Sequence, residues 1–329
     1  MDSVEAGSFV SDERTIALIG FDACSAIERT DPRRLTVGLP LLGGVEDAVE
    51  VWRSQEPLER GESGGLYFSK NDVLLFASWL ADESSYPDFE SASYDVYRRI
   101  LSLIETQGYP HLLRVWHYFP GINSEPEGLE RYQAFCLGRY RALQGVPDFE
   151  HSLPAACAIG TCSPGFLVYF LAAKEAGFQI ENPRQLSAFH YPRRYGSQSP
   201  SFSRAILKRW ESVNHLYISG TASIVGHETR HLGDTFAQLE ETLNNLDALV
   251  AEANRAMVGP PVRFSLLKAY IREEVDPAAI GARIAQRLGE DIPLLLLRGD
   301  LCRRNLLVEI EGLSTSAPGD PARRLQLSP

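Results

Sequence analysis

The stretch GDLCRRNLLVEIEG, residues 299–312, sets two carboxylates, Glu309 and Glu311, two apart in an apolar run, with Cys302 and two arginines just upstream. Strand side chains alternate faces, so both acids point the same way. Partial burial among Leu307, Val308 and Ile310 raises a carboxyl's pKa towards neutrality, where it can serve as a general acid. The competing reading makes both acids the wet face of an edge strand. Arginines give a second signal, because a planar guanidinium binds carboxylates bidentately and stays charged. Arg131 and Arg139 in ERYQAFCLGR are eight apart, so on a helix they fall within about 80° of each other and share one broad face. Arg184, Arg193 and Arg194 lie in a segment with Tyr191 and Tyr195. In an acidic chain, such a basic and aromatic cluster suits a small anionic ligand, and Arg131, Arg139, Tyr191 and Arg194 are the candidate contacts. Gly220, followed by Thr221 in LYISGT, leaves room for a ligand to approach the strand. Tyr217 points either into that site or into the core.

The elements that position these residues repeat along the chain. LYFSKNDVLLFASWL, from Leu66, resembles LYISGTASIVGH, from Leu216, at an offset of 150. A helical period follows each, and in the second Phe236, Leu239, Leu243, Leu246 and Leu249 trace an i, i+3, i+4 stripe. HLLRVWHYFPGI then matches FSLLKAYIREEV as strands, and GLERYQAFCLGRYRAL matches AAIGARIAQRLG as helices. The repeat closes with AIGTCSPGFLVYFLA against LRGDLCRRNLLVEIEG, where Cys162 matches Cys302 at an offset of 140. Tyr169 therefore stands where Glu309 stands, and the ten-residue change of offset is assigned to loop lengths. The expected organisation is two related α+β units. The first spans 1–175 with an N-terminal extension before about residue 40. An inserted ordered loop segment covers 176–204, the second unit 205–315 and a frayed tail 316–329.

At 329 residues, with 44% hydrophobic and 23% charged side chains, the chain is an ordinary globular one. A net charge of -11 argues against a nucleic-acid or anionic-membrane binder, which needs a basic surface. There is no apolar run of spanning length and no signal pattern at the N-terminus, which points to the cytoplasm. Five cysteines without CxxC spacing support neither disulfides nor zinc and read mostly as buried thiols. His227 and His231 in GHETRH read as part of a loop leading into a helix rather than as metal ligands.

The unit from Leu216 to Gly312, closing on C-x6-VEIE, resembles the RidA/YjgF family of small α+β proteins with helices on one face of a mixed sheet. Over nearly the whole chain, LYFS, FPGIN, GLERYQAFCLGR, LPAACAIGT, NPRQLSAFHYP, YGSQSPSFSRA, LYISGTASIVGHE and CRRNLLVEIEG occur in the order of the chorismatase family, whose members carry two RidA-like units and cleave chorismate. This resemblance implies a fold of two tandem RidA/YjgF-like units, mixed sheets with helices packed on one face. It also implies a cofactor-free enzyme, a monomer or weak homo-oligomer, with chorismate as substrate and Glu309 in the cleft. A Cys seven residues before that Glu, here Cys302, together with Gly in ISGT, here Gly220, accompanies 3-hydroxybenzoate formation in the family. Ala at these places accompanies the dihydrodiol, and another branch similar in these residues releases both 3- and 4-hydroxybenzoate.

Chorismate carries a ring carboxylate, a free hydroxyl and an enolpyruvyl ether with a second carboxylate. Protonation of the vinyl methylene by Glu309 would give an oxocarbenium ion. The resemblance implies that the ring hydroxyl then displaces pyruvate and that the intermediate aromatises, with Cys302 shaping its decomposition rather than attacking it. The alternatives are a RidA-like enamine or imine deaminase, a dihydrodiol-forming hydrolase, or a silent binding protein. Against the deaminase, Asp300 stands where RidA proteins carry a carboxylate-gripping Arg.

Overall fold

The computed structural model describes residues 8–43, 47–211, 213–257, 260–272, 276–316 and 326–327. Three sheets surround one central core. The first is built from β1 (Thr15–Phe21), β2 (Ala26–Ile27), β3 (Arg34–Val37) and β4 (Glu50–Ser54). The second comprises β5 (Glu59–Ser63), β6 (Leu66–Lys70), β7 (Leu74–Ala81), β8 (His111–Pro120), β9 (Ala155–Thr161) and β10 (Phe166–Ala173). Its helices are α1 (Phe89–Gln107) and α2 (Arg131–Leu143). The third comprises β11 (Phe178–Ile180), β12 (Ala205–Arg209), β13 (Asn214–Ala222), β16 (Arg263–Ile271), β17 (Leu294–Arg298) and β18 (Val308–Thr315). A short ribbon, β14 (Ile224–Val225) and β15 (Glu228–Thr229), follows β13, and the helices here are α3 (Thr235–Ala256) and α4 (Pro277–Leu288). Gln326–Leu327, β19, adds an edge strand beside β4. Residues 317–325 and 328–329 of the expected tail lie outside the described residues.

The second and third sheets share one topology. Their orders are β5-β6-β7-β10-β8-β9 and β11-β12-β13-β18-β16-β17. The final pairs, β8 with β9 and β16 with β17, are parallel, as the mixed-sheet reading requires. The register corrects one detail of the repeat. Tyr169 pairs with Ser78 on β7, and Glu309 pairs with Ala222 on β13. The counterpart of LYISGT is therefore β7, LLFASWLA, and not β6, where LYFSK lies. The local likeness misled because β6 and β7 are adjacent antiparallel strands of similar apolar composition. Most of the expected change of offset came from that mismatch: Ala222 and Ser78 are 144 apart and Glu309 and Tyr169 are 140 apart, which leaves four residues to the connections. The N-terminal extension is likewise more than an addition, since with β4 it makes a sheet of its own.

Both faces of the repeat sheets are covered, which is why their strands read as continuous apolar runs. On β10, Leu167, Tyr169 and Leu171 face the centre, whereas Val168 and Phe170 face the helices. Ile16 and Trp52 from the first sheet meet Phe76 and Trp116 from the second and Tyr270 and Leu313 from the third in that centre. The helices follow from local signals. The Asp88 and Asp234 side chains cap α1 and α3 by accepting from Ser91 N and Ala237 N, and Gly108 ends α1 with φ 80°. The stripe Leu239, Leu243, Leu246 and Leu249 is buried as expected, but Phe236, in the first turn, is 45% exposed.

Four buried charges tie the sheets together. Glu311 on β18 is in ion pairs with Arg114 of β8 and with Lys268 of β16, the latter at 2.8 Å. Lys268 also reaches Glu50 of β4 at 3.1 Å, and Trp116 Nε1 donates to Glu311 at 2.8 Å. Each sheet thus contributes a charge to a neutral quartet. Breaking a buried pair leaves an uncompensated charge, which costs far more than a surface pair contributes. Lys268→Met should therefore lower stability by about 3–5 kcal/mol in urea unfolding; a loss within the error of the measurement would show that the quartet contributes little.

Candidate active site

Glu309 and Glu311 both point from β18 towards the centre, with Val308 and Ile310 turned to the helix side. Neither is on a wet face, since they are 5% and 1% exposed. Their environments separate them chemically. Burial by itself would raise Glu311, but Lys268 and Arg114 outweigh it and hold the carboxyl at about 2. Glu309 has no such partner. Burial, and then the negative charge of Glu311, push it up to about 8 against the weaker pull of Arg114, Arg204 and Arg272. At neutral pH Glu309 is therefore largely a protonated acid beside an ionised one.

The seat of the Glu309 carboxyl is a gap in β13. Pairing with β18 shifts register between Ile218 and Thr221, and Gly220 lies in that irregular stretch. A Cβ on Gly220 would stand 1.9 Å from Glu309 Oε1 and 3.3 Å from Cys157 Cβ. Only a missing side chain lets the carboxyl fold back against the strand.

A cavity of about 340 Å³ opens over this carboxyl, lined by Glu309, Gly220, Cys302, Tyr132, Tyr191 and Arg204 among others. Its walls come from both repeats, with Tyr132 and Cys136 supplied by α2 of the first. Burial, followed by the charge of Glu309, pushes the Cys302 thiol up to about 12, so it is neutral and no nucleophile at physiological pH. Arg204 is buried, donates at 2.7 Å to Tyr191 Oη and to the Leu186 carbonyl, and keeps Nε without a partner. Arg303 stacks on Tyr195 at 4.0 Å and on Tyr191 at 5.1 Å, with Nη2 unpartnered. Unsatisfied buried guanidinium atoms are costly unless an acceptor meets them.

The residues singled out from the sequence divide as follows. Glu309, Cys302, Gly220, Tyr191 and Arg194 line the cavity. Arg194 stands at its exposed mouth, 2.9 Å from His227 Nδ1 and 3.3 Å from Glu228. Arg131 does not reach it: its guanidinium is in an ion pair with Glu83, donates to the Pro120 carbonyl and covers the Phe89 ring at 4.0 Å. Tyr217 is a core residue whose hydroxyl lies 3.3 Å from His215 Nδ1. The Thr221 hydroxyl donates to the Ser219 carbonyl and is no part of the wall.

Arg139 sits one helical turn from Cys136, behind the wall, 2% exposed, over the Tyr97 ring at 4.9 Å, with Nε and Nη2 unpartnered. Burial and the Arg139 charge hold His117 far below its usual range, so its neutral Nδ1 donates to the Cys157 carbonyl and its Nε2 accepts from Tyr97. Tyr132, Arg204 and Arg303 were not among the candidate contacts. Tyr132 and Arg204 lay inside quoted motifs, ERYQAFCLGR and SFSRA, and Arg303 directly follows Cys302. The thiols also need correction, since Cys136 and Cys157 are buried but Cys24 and Cys162 are exposed. Among the described residues no three His, Cys, Asp or Glu side chains group as metal ligands.

The family model described as chorismatase FkbO/Hyg5-like, N-terminal, matches residues 50–172. A protein of Streptomyces rapamycinicus named chorismatase is 37% identical over 281 residues, 82% of each chain. One of Streptomyces hygroscopicus named 3-hydroxybenzoate synthase is 33% identical over 279 residues, again 82% of each. The crystal structure of a chorismatase superposes with a TM-score of 0.81 at 34% identity, covering 92% of this chain and 93% of the other. Likeness of that extent, in sequence and in fold, makes the chain a member of the chorismatase family.

Proposed function

We propose that this protein cleaves chorismate into pyruvate and 3-hydroxybenzoate, with Glu309 as general acid. The observation that carries the reading is a carboxyl pushed up to about 8 in the wall of a cavity where Arg204 and Arg303 each keep a buried guanidinium nitrogen without a partner. Such an acid holds its proton at neutral pH and is still acidic enough to give it up, the compromise that general acid catalysis needs. The relatives named chorismatase and 3-hydroxybenzoate synthase support the substrate and the product.

In this reading Glu309 protonates the vinyl methylene of the enolpyruvyl group, and its carboxylate then faces the oxocarbenium ion. The ring hydroxyl attacks the neighbouring ring carbon, and the C–O bond to pyruvate breaks. The resulting arene-oxide-like ring opens, loses a ring proton and aromatises, while one proton returns to Glu309. Atoms balance without water, because the two products together contain all the atoms of chorismate. Arg204, Arg303 and the buried Arg139 supply positive charge for the two substrate carboxylates, with Arg194 at the mouth. The neutral Cys302 thiol, beside Glu309, borders the space where the intermediate decomposes. Among the described residues no helix is long and apolar enough to cross a membrane.

Incubation with chorismate should release pyruvate and 3-hydroxybenzoate, read by chromatography; absence of pyruvate would reject the proposal. Glu309→Gln should fold normally and lose roughly 10²–10⁴-fold in turnover, the usual contribution of a general acid. For the wild type, kcat/KM should fall as pH rises through about 8, where Glu309 loses its proton. An alkaline limb unchanged in the residual activity of Glu309→Gln would assign that titration to another group. Cys302→Ala should change the product ratio, and an unaltered profile would remove its role.

A further inference from the structure

The repeat places a second cleft where nothing has been assigned. Ser78 and Tyr169 pair across β7 and β10 as Ala222 and Glu309 pair across β13 and β18. Over this half of the second sheet lies a cavity of about 340 Å³, walled on its other side by Ile16 of β1 and by Pro32 and Arg33 ahead of β3. It lies between the first and second sheets, apart from the Glu309 cavity, with which it shares no lining residue.

Its chemistry is specific. The pairs Arg60–Ser69, Glu62–Tyr67, Tyr67–Ser78 and Ser69–Phe76 lie directly opposite one another, so these side chains share the inner face. The walls are largely apolar and aromatic, from Ile16, Pro32, Tyr67, Phe68 and Phe76. Ser78 is 1% exposed, and its hydroxyl has no hydrogen-bond partner. Glu62, also in the wall, accepts from Gly65 N at 3.2 Å. The Arg33 fork is engaged by Asp31 and by the Val10 and Asp12 carbonyls. Arg60 makes a single bond, to the Glu13 carbonyl at 3.2 Å, and no ion pair of its own among the described residues.

We propose that this cavity is a second, non-catalytic ligand site that takes a small aromatic monocarboxylate, its ring against Phe76 and Ile16 and its carboxylate on Arg60. The buried Ser78 hydroxyl gives a polar substituent on the ring a partner. The counterpart of Glu309 is Tyr169, and the carboxylate in this wall, Glu62, is exposed rather than buried, so the cleft binds without turnover. The class includes the hydroxybenzoate product proposed above, but the site itself stands on these residues alone.

Crystals grown with 3-iodobenzoate should show anomalous iodine density in the cavity bounded by Phe76, Ser78 and Ile16, and calorimetry should find binding there in solution. Arg60→Gln, a change at an exposed position, should weaken this binding about tenfold or more, as loss of a charged hydrogen bond does. It should leave chorismate turnover at low product concentration unchanged. Iodine confined to the Glu309 cavity, or equal affinity in wild type and Arg60→Gln, would overturn the proposal. Iodobenzoate bound at Phe76 in a protein that releases no pyruvate would refute the proposed reaction and leave this site standing.

Discussion

The buried quartet of Glu311, Arg114, Lys268 and Glu50 is the constraint on which the rest of the molecule depends. Each of the three sheets supplies at least one member, so the central core closes only when all three are in register. The same quartet fixes the chemistry next door. Two carboxylates on one strand face cannot both be readily ionised in a medium of low polarity. Glu311 takes the available cations and carries the charge. Glu309, two residues away and paired with none of them, is left with the proton. A structural ion-pair network and an acid of raised pKa are thus two results of one distribution of counterions.

The cavity shows how an acidic chain makes an anion site. The net charge of -11 works against an anionic substrate at long range, but within a partly enclosed cavity nearby cations dominate. Arg204, Arg303 and Arg139 are buried or stacked on aromatic rings, and each leaves guanidinium nitrogens unsatisfied. Rigid seating of this kind is what preorganisation means at the level of side chains, because no group has to be ordered when the ligand arrives.

Much of this was legible in the sequence, and the failures have physical causes. The tandem α+β units and the closing strand match came from a local pattern and its repeat, with the family resemblance, and of the two glutamates it is Glu309 that lines the cavity. Arg131 and Arg139 share a helix, yet helical spacing cannot tell which cation has a carboxylate waiting for it. Glu83, forty-eight positions before Arg131, captured that side chain through tertiary contact. Arg204 gave no local sign of importance, because its burial is decided by Tyr191 and Leu186, which the chain brings back only on folding. The first sheet escaped notice because its strands are short and partly drawn from residues assigned to the first repeat.

Tyr169 and Glu309 occupy equivalent places in two sheets of one polypeptide. In a symmetric assembly of identical subunits, any substitution that installs an acid in one cleft installs it in all, and any clash it creates is multiplied as well. Covalent linkage removes that restriction. Each copy becomes free to accumulate changes by itself, so one sheet can hold a buried aromatic residue where the other holds a buried carboxyl. The unlike pair shows two halves of one topology that differ in the chemistry of a single equivalent position.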